Sequence, residues 1–216
     1  MENLDKIYKR RFSEEEIVFK RKMYELLYKD FLQKYISTDA VVLDLGAGYC
    51  SFINNIKAKR KIAVDLNPDV RKFADSNVEV IIGSSVDMHQ IDSESIDVVF
   101  TSNFLEHLSK EDIVKTLKEV YRVLKKGGKF LIIQPNIRYC YRDYWQFFDH
   151  ISPLDDRSLV EILETNGFKI FECRPKFLPY TIKSKLPKSL FFLRLYLRVP
   201  LLQKIFGAQA FIYSEK

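Results

Sequence analysis

From Ala40 to Gln134 the chain changes character at short, regular intervals. Mostly apolar, strand-like runs, Ala40 to Leu45, Lys61 to Leu66, Val78 to Ile82, Ile96 to Ser102 and Lys129 to Gln134, are separated by polar or amphipathic stretches. A short continuous apolar run suits a strand buried on both faces, which is the condition of a parallel sheet. Between the last two runs, Lys110 to Lys125 places Ile113, Val114, Leu117, Val120, Tyr121 and Leu124 on one helical face, and Gly127-Gly128 closes it. Ser13 followed by Glu16 is a capping box for an N-terminal helix, whose apolar residues at 17, 23, 26, 27, 31 and 32 run to about Tyr35. Ser51 to Lys59 reads as a further helix, Pro68 opens another that ends near Asp75, and Arg157 to Asn166 is one more, stopped by Gly167. Phe168 to Arg174 and Gln209 to Ser214 supply two final strands. The expected fold is α/β, with a seven-stranded, mostly parallel sheet and helices on both faces. Such sheets bind ligands beyond the carboxyl ends of their strands, where the strand order switches.

The length of 216 residues fits one domain. With 47% apolar and 30% charged residues, the composition is that of a soluble globular protein. No uncharged apolar stretch reaches about 18 residues, so a spanning helix is not expected. The N-terminus, MENLDKIYKRRFSEEE, is too charged for a secretory signal. Cys50, Cys140 and Cys173 lie far apart and read as reduced thiols of a cytoplasmic protein. The net charge is +6, but Cys173 to Ser214 holds eight Lys or Arg and no acid, so the rest of the chain sums to −2. A basicity confined to one segment does not by itself indicate nucleic acid.

The stretch VVLDLGAGYC puts Gly46 and Gly48 directly after the first strand, with Asp44 two places before the first glycine. Glycines there let the backbone turn sharply and approach a ligand. A dinucleotide site would need a third glycine where Ser51 stands, and Asp44 would repel a pyrophosphate. A carboxylate suits a ligand carrying an ammonium group. At this point the sequence resembles the class I S-adenosylmethionine-dependent methyltransferases, in their small-molecule branch. LDLGAGYC resembles the first motif of that family, with Cys50 at the third glycine position; AVDLNP resembles the second; IIGSSVDM resembles the adenine loop; IDVVFTSNFLEHL resembles the fourth strand and its loop; and EVYRVLKKGGKFLI resembles the helix, turn and fifth strand. The resemblance implies S-adenosylmethionine as cofactor. It places Asp44, Gly46, Ala47 and Gly48 at the methionine end, Asp65 on the ribose hydroxyls, and Leu66 beside the adenine. The adenine amino group falls to Ser84, Asp87 or the backbone of Ser85, and Asn103 runs past the methyl end.

The acceptor side is read from the residues after the fourth and fifth strands. His107 and His150 are the candidate bases, for a hydroxyl acceptor must lose a proton. NIRYCYRDYWQFFDH, residues 136 to 150, carries six aromatics and two arginines. Tyr141, Tyr144 and Trp145 suit a sugar or another ring, Arg138 and Arg142 an acidic group, and Asp149 a substrate hydroxyl or the His150 ring. Three scattered histidines form no metal signature, and no metal is expected. The chain lacks the Asn/Asp-Pro-Pro-aromatic tetrapeptide and the Pro-Cys pair of base methylases, so nucleic acid ranks last among acceptors.

Between Arg174 and Gln209 lie 34 residues, long for a structureless loop. LPKSLFFLRLYLRVPLLQKIFG reads as a helical insertion before the last strand, broken at Pro200. It packs on the body or on a second subunit of a homodimer, or residues 176–206 touch a membrane surface. The domain 1–216 then comprises an N-terminal helical segment (1–37), a cofactor-binding core (38–174), the basic apolar insertion (175–208) and the last strand (209–216). The expectation is a cytoplasmic methyltransferase for a small-molecule or glycan-type acceptor, methylating oxygen. The alternative is a lipid or quinone acceptor at the inner face of a membrane.

Overall fold

The computed structural model describes residues 13–180 and 189–216. Residues 1–12 of the N-terminal segment and 181–188 of the insertion lie outside the described residues. In chain order the elements are α1 (Glu14–Asp30), a 3-10 turn (Leu32–Tyr35), β1 (Val41–Leu45), β2 (Arg60–Asp65), α2 (Val70–Phe73), β3 (Glu79–Ile82), β4 (Ile96–Ser102), a 3-10 turn (Leu105–His107), α3 (Lys110–Val123), β5 (Leu124–Pro135), α4 (Ile137–Tyr144), α5 (Asp156–Thr165), β6 (Lys169–Leu178), α6 (Leu190–Arg198), α7 (Pro200–Phe206) and β7 (Gln209–Glu215).

The seven strands form one sheet in the order β3-β2-β1-β4-β5-β7-β6. All neighbours are parallel except β7, which runs antiparallel to both β5 and β6. Alternation along each strand divides the core in two. On β1, Val42 joins one apolar cluster with Tyr24, Leu27 and Leu32 of the N-terminal elements. Leu43 and Leu45 join the other, with Leu117 and Val120 of α3 and Leu159 and Leu163 of α5. Both faces are therefore covered, as continuous apolar strands require. The order reverses between β2-β1 and β4-β5, so the switch point lies at the carboxyl ends of β1 and β4.

Three elements differ from the sequence reading. Ser51 to Lys59 forms turns and not a helix. Cys50 at φ +52 resets the chain direction, and Asn54 ties this loop to Phe73 and Asp75 by side-chain hydrogen bonds of 2.8 and 3.0 Å. Gly127-Gly128 does not separate α3 from a strand. β5 starts at Leu124, and the glycines sit within a shift of register between the pairs Ile96–Leu124 and Val98–Lys129; Gly127 has φ +70, which supplies the bulge. The N-terminal helix keeps its capping box but ends at Asp30, with the next turn wound as 3-10. The insertion holds two short helices, and Pro200 opens the second of them.

Candidate functional site

The first half of the site is a loop held by its own acids. Gly46 and Ala47 donate to the Val64 carbonyl at 2.9 and 3.2 Å, which ties the glycine turn to β2. Gly48 donates to Asp65 Oδ2 at 2.8 Å, and the other carboxylate oxygen accepts from Asn67 N at 2.8 Å. A carboxylate offers about four acceptor sites, so Asp65 can still accept from a hydroxyl donor. Gly46 is required twice over. Its φ is +72, and a Cβ there would stand 2.5 Å from Phe104 Cδ2. Gly48, at φ +51, has no atom within 4 Å of a built Cβ, so it faces open space. Leu66 beside it is half-exposed, an apolar side chain at the rim of that space.

Asp44 is buried. Burial, helped by the negative charge of Asp65, pushes its carboxyl up to about 8, against the opposing pull of the Ile53 amide and Lys20. Burial also raises Asp65, partly offset by the amides of Asn67, Gly48 and Leu66. Two acids whose charges are this poorly compensated favour a ligand with an ammonium and neighbouring hydroxyls, and disfavour a phosphate. The donor set and the open space before Gly48 thus fit S-adenosylmethionine. Asp44 would hold its ammonium, Asp65 its ribose and Leu66 the adenine face.

On the adenine loop, Ser85 turns its hydroxyl into the body, 2.7 Å from Thr116 Oγ1, so only its backbone can reach a ligand. Ser84 and Asp87 stay on the outer side; Ser84 Oγ caps Val86 N at 3.4 Å and Asp87 holds the His89 ring at 3.0 Å. Asn103 has φ +51 and donates from its amide side chain to Ser102 Oγ at 3.0 Å.

The second half of the site was only partly visible in the sequence. Glu106, His107 and His150 each bring one ligating or proton-accepting atom within 4.8 Å of the others. Glu106 is fully buried, and burial raises its carboxyl against the pull of His107. Its Oε2 accepts from Gln134 Nε2 at 2.9 Å, at the carboxyl end of β5. Its Oε1 lies 3.8 Å from His107 Nε2 and 4.0 Å from His150 Nε2. His107 Nδ1 meets the Asp149 carbonyl at 3.0 Å and its carboxylate at 3.3 Å. That contact orients the ring with Nε2 toward Glu106. The two imidazoles meet edge to face with centroids 5.0 Å apart. The loop carrying Asp149 and His150 is pinned to this spot because the Glu106 carbonyl accepts from Ile151 N and Ser152 N, at 2.9 and 3.1 Å.

The residues after β5 take several roles. Tyr144 is buried and donates to the Ser152 carbonyl, so it shapes the loop and is no contact surface. Arg138 is engaged by Asp156 at 2.8 and 3.0 Å, which makes it a fold contact of the α4–α5 connection in this structure. Arg142 donates to the Tyr141 hydroxyl at 3.1 Å, its guanidinium 5.6 Å from that ring's centroid. Tyr141 and Trp145 are exposed, and Phe148 is 94% exposed. Tyr24 of α1 escaped the sequence reading. Its hydroxyl donates to Ser102 Oγ at 2.7 Å, and both Asp44 and Glu106 act on it electrostatically. It stands between the two halves of the site.

A family model described as "Methyltransferase domain" matches residues 43–132. A probable S-adenosylmethionine-dependent methyltransferase of Mycolicibacterium smegmatis is 29% identical over 164 residues, covering 73% of this chain and 62% of that protein, so this chain spans less than two thirds of that relative. Among solved structures, a SAM-dependent methyltransferase from Archaeoglobus fulgidus superposes with a TM-score of 0.65 at 24% identity, covering 91% of this chain and 94% of the other. A SAM-dependent methyltransferase from Thermotoga maritima, described as a possible histamine N-methyltransferase, gives 0.65 at 20% identity, with 97% and 98% covered. At these identities the structural likenesses speak for the fold alone.

Proposed function

We propose that this chain, which matches a methyltransferase-domain model over residues 43–132, is a class I S-adenosylmethionine-dependent methyltransferase, and that it methylates a hydroxyl oxygen of a small-molecule or glycan-type acceptor. One observation carries the acceptor half of this reading. The largely buried Glu106–His107–His150 cluster stands at the carboxyl edge of the sheet, tied to β5 through Gln134.

S-adenosylmethionine, when bound, supplies a methyl already activated on a sulfonium. Asp44 and Asp65 hold its ammonium and ribose ends, and the Gly46–Gly48 turn lets the backbone come close. His150 takes the proton of the acceptor hydroxyl at Nε2. Glu106 beside it stabilises the imidazolium, and Gln134 keeps the carboxylate in place. Asp149 fixes the His107 ring, which walls the other side. Trp145 and Tyr141 offer ring faces to a sugar, and Arg142 offers a cation to an acidic substituent.

His150→Ala tests the assignment. Turnover falls by about 100-fold while cofactor affinity is kept, as expected of a general base. Turnover unchanged at the pH optimum would return His150 to a structural role.

A further inference from the structure

The insertion leaves the sheet at the same edge as the site. Pro135, at the carboxyl end of β5, pairs with Gln209, and Leu178, at the end of β6, pairs with Gln209 as well. The described parts of this segment, Pro179-Tyr180 and α6–α7, are therefore anchored at the edge that carries the cluster of Glu106 and the two histidines. Contacts make the connection continuous. Tyr180 lies against Phe147 with centroids 6.1 Å apart, and Phe147 lies 5.1 Å from the His150 ring. Lys176 donates to the Lys204 carbonyl of α7 at 2.8 Å while its ammonium sits 4.6 Å over the Tyr139 ring of α4. The aromatic α4 region and the α6–α7 pair are thus one surface.

That surface is the reverse of an ordinary exposed helix pair. The inner side of α6 is used: Tyr196 is buried, Leu197 packs on the core, and Arg194 holds Asp30 of α1 at 2.9 Å. The outer side carries Phe191, Leu201 and Ile205, which are 72%, 63% and 58% exposed. Arg198 and Lys204 lie exposed among them. Phe148, next to the Phe147 that meets Tyr180, is 94% exposed. Two observations select the occupant. Arg198 and Lys204 stand exposed among the apolar side chains, and the sequence from Cys173 to Ser214 holds no acid, so this face calls for anionic charge together with an apolar phase. A second copy across a two-fold axis would set this basic segment against itself. No described helix is long and apolar enough to cross a membrane, so the contact would be peripheral.

We propose that the outer faces of α6 and α7 dock this protein on an anionic phospholipid bilayer, with Phe148 entering the same interface, so that the candidate site opens toward an acceptor carried on lipid. The lipid-carried acceptor rests on the methyl-transfer reading; the docking does not. The test uses the whole chain without cofactor or acceptor, spun with vesicles of phosphatidylcholine alone or mixed with phosphatidylglycerol. The wild type pellets with the mixed vesicles and stays in solution with the neutral ones. Arg198→Glu with Lys204→Glu lowers the bound-to-free ratio by about 25-fold or more, roughly fivefold for each basic residue removed. Phe191→Ser with Ile205→Ser abolishes the part of the binding that survives added salt. Retained affinity for S-adenosylmethionine shows that these variants are folded, since none of the four residues touches the cofactor half. Wild type left in the supernatant at low salt overturns the proposal. So does equal binding to both vesicles. A lipid-free dimer in sedimentation velocity that the same substitutions dissociate also overturns it, giving the face to a second copy.

Discussion

Asp44→Asn should make the cofactor-free protein more stable and the cofactor weaker at once. In the folded chain the Asp44 carboxyl is pushed up to about 8, chiefly by burial. In the unfolded chain it returns to its ordinary value near 3.8. Between those values the folded state binds the extra proton, so stability is greatest at the acid end of the window and falls as pH rises through it. At pH 7 about three pK units of that window have been crossed, a cost on the order of 4 kcal/mol. Asparagine is neutral throughout and its carbonyl can still accept from the Ile53 amide. Urea unfolding of both proteins without cofactor, at about pH 5 and pH 7.5, should show the variant ahead, with the gap widening toward pH 7.5. Calorimetry should show S-adenosylmethionine bound about tenfold or more weakly by the variant, because a charge-assisted bond to the ammonium becomes a neutral one. A gap that does not change with pH would refute the burial argument. Equal cofactor affinity would refute the ammonium role.

Asp65→Ala loses both a cofactor contact and the two amides it accepts from Gly48 and Asn67. Cofactor affinity should fall by roughly 2 to 4 kcal/mol in calorimetry, and thermal unfolding of the free protein should come earlier. Gly46→Ala meets Phe104 at 2.5 Å and a left-handed φ of +72, and should cost about 2 to 4 kcal/mol in chemical denaturation, part of it recovered by adding Phe104→Ala. Chelation by EDTA should leave turnover unchanged if Glu106, His107 and His150 work by proton transfer; activity lost and restored by one divalent metal would make them its ligands.

The strands were readable because burial on both faces leaves few polar positions inside them, Asp44 being one. Val42, Leu43 and Leu45 are apolar whichever way they point. The glycine turn was readable because Gly46, Gly48 and Asp65 lie close to strand ends whose positions were known. Ser51 to Lys59 misled because its pattern permits a helix, and the left-handed Cys50 that prevents one is not a residue type that announces a positive φ. The Glu106–His107–His150 cluster was only half visible. Glu106, Gln134 and His150 come from three separate stretches, and only the parallel pairing of β4 with β5 brings their ends together. Tyr24 was hidden inside an amphipathic helix, where one more aromatic on an apolar stripe looks like packing. Arg138 was a plausible ligand by position, but which way a polar side chain turns depends on partners far away in sequence, here Asp156.

Transfer of labelled methyl tests the central claim most directly. The full chain is given S-adenosylmethionine tritiated at the methyl, together with separated lipid and polysaccharide fractions of its source cells. Wild type should move label onto an acceptor as a base-stable ether, His150→Ala should do so about 100-fold more slowly, and Asp65→Ala should not label at a cofactor concentration that saturates the wild type. Label that stays on a cofactor proven bound by calorimetry, or label found on nitrogen at a rate that His150→Ala leaves unchanged, would contradict the account.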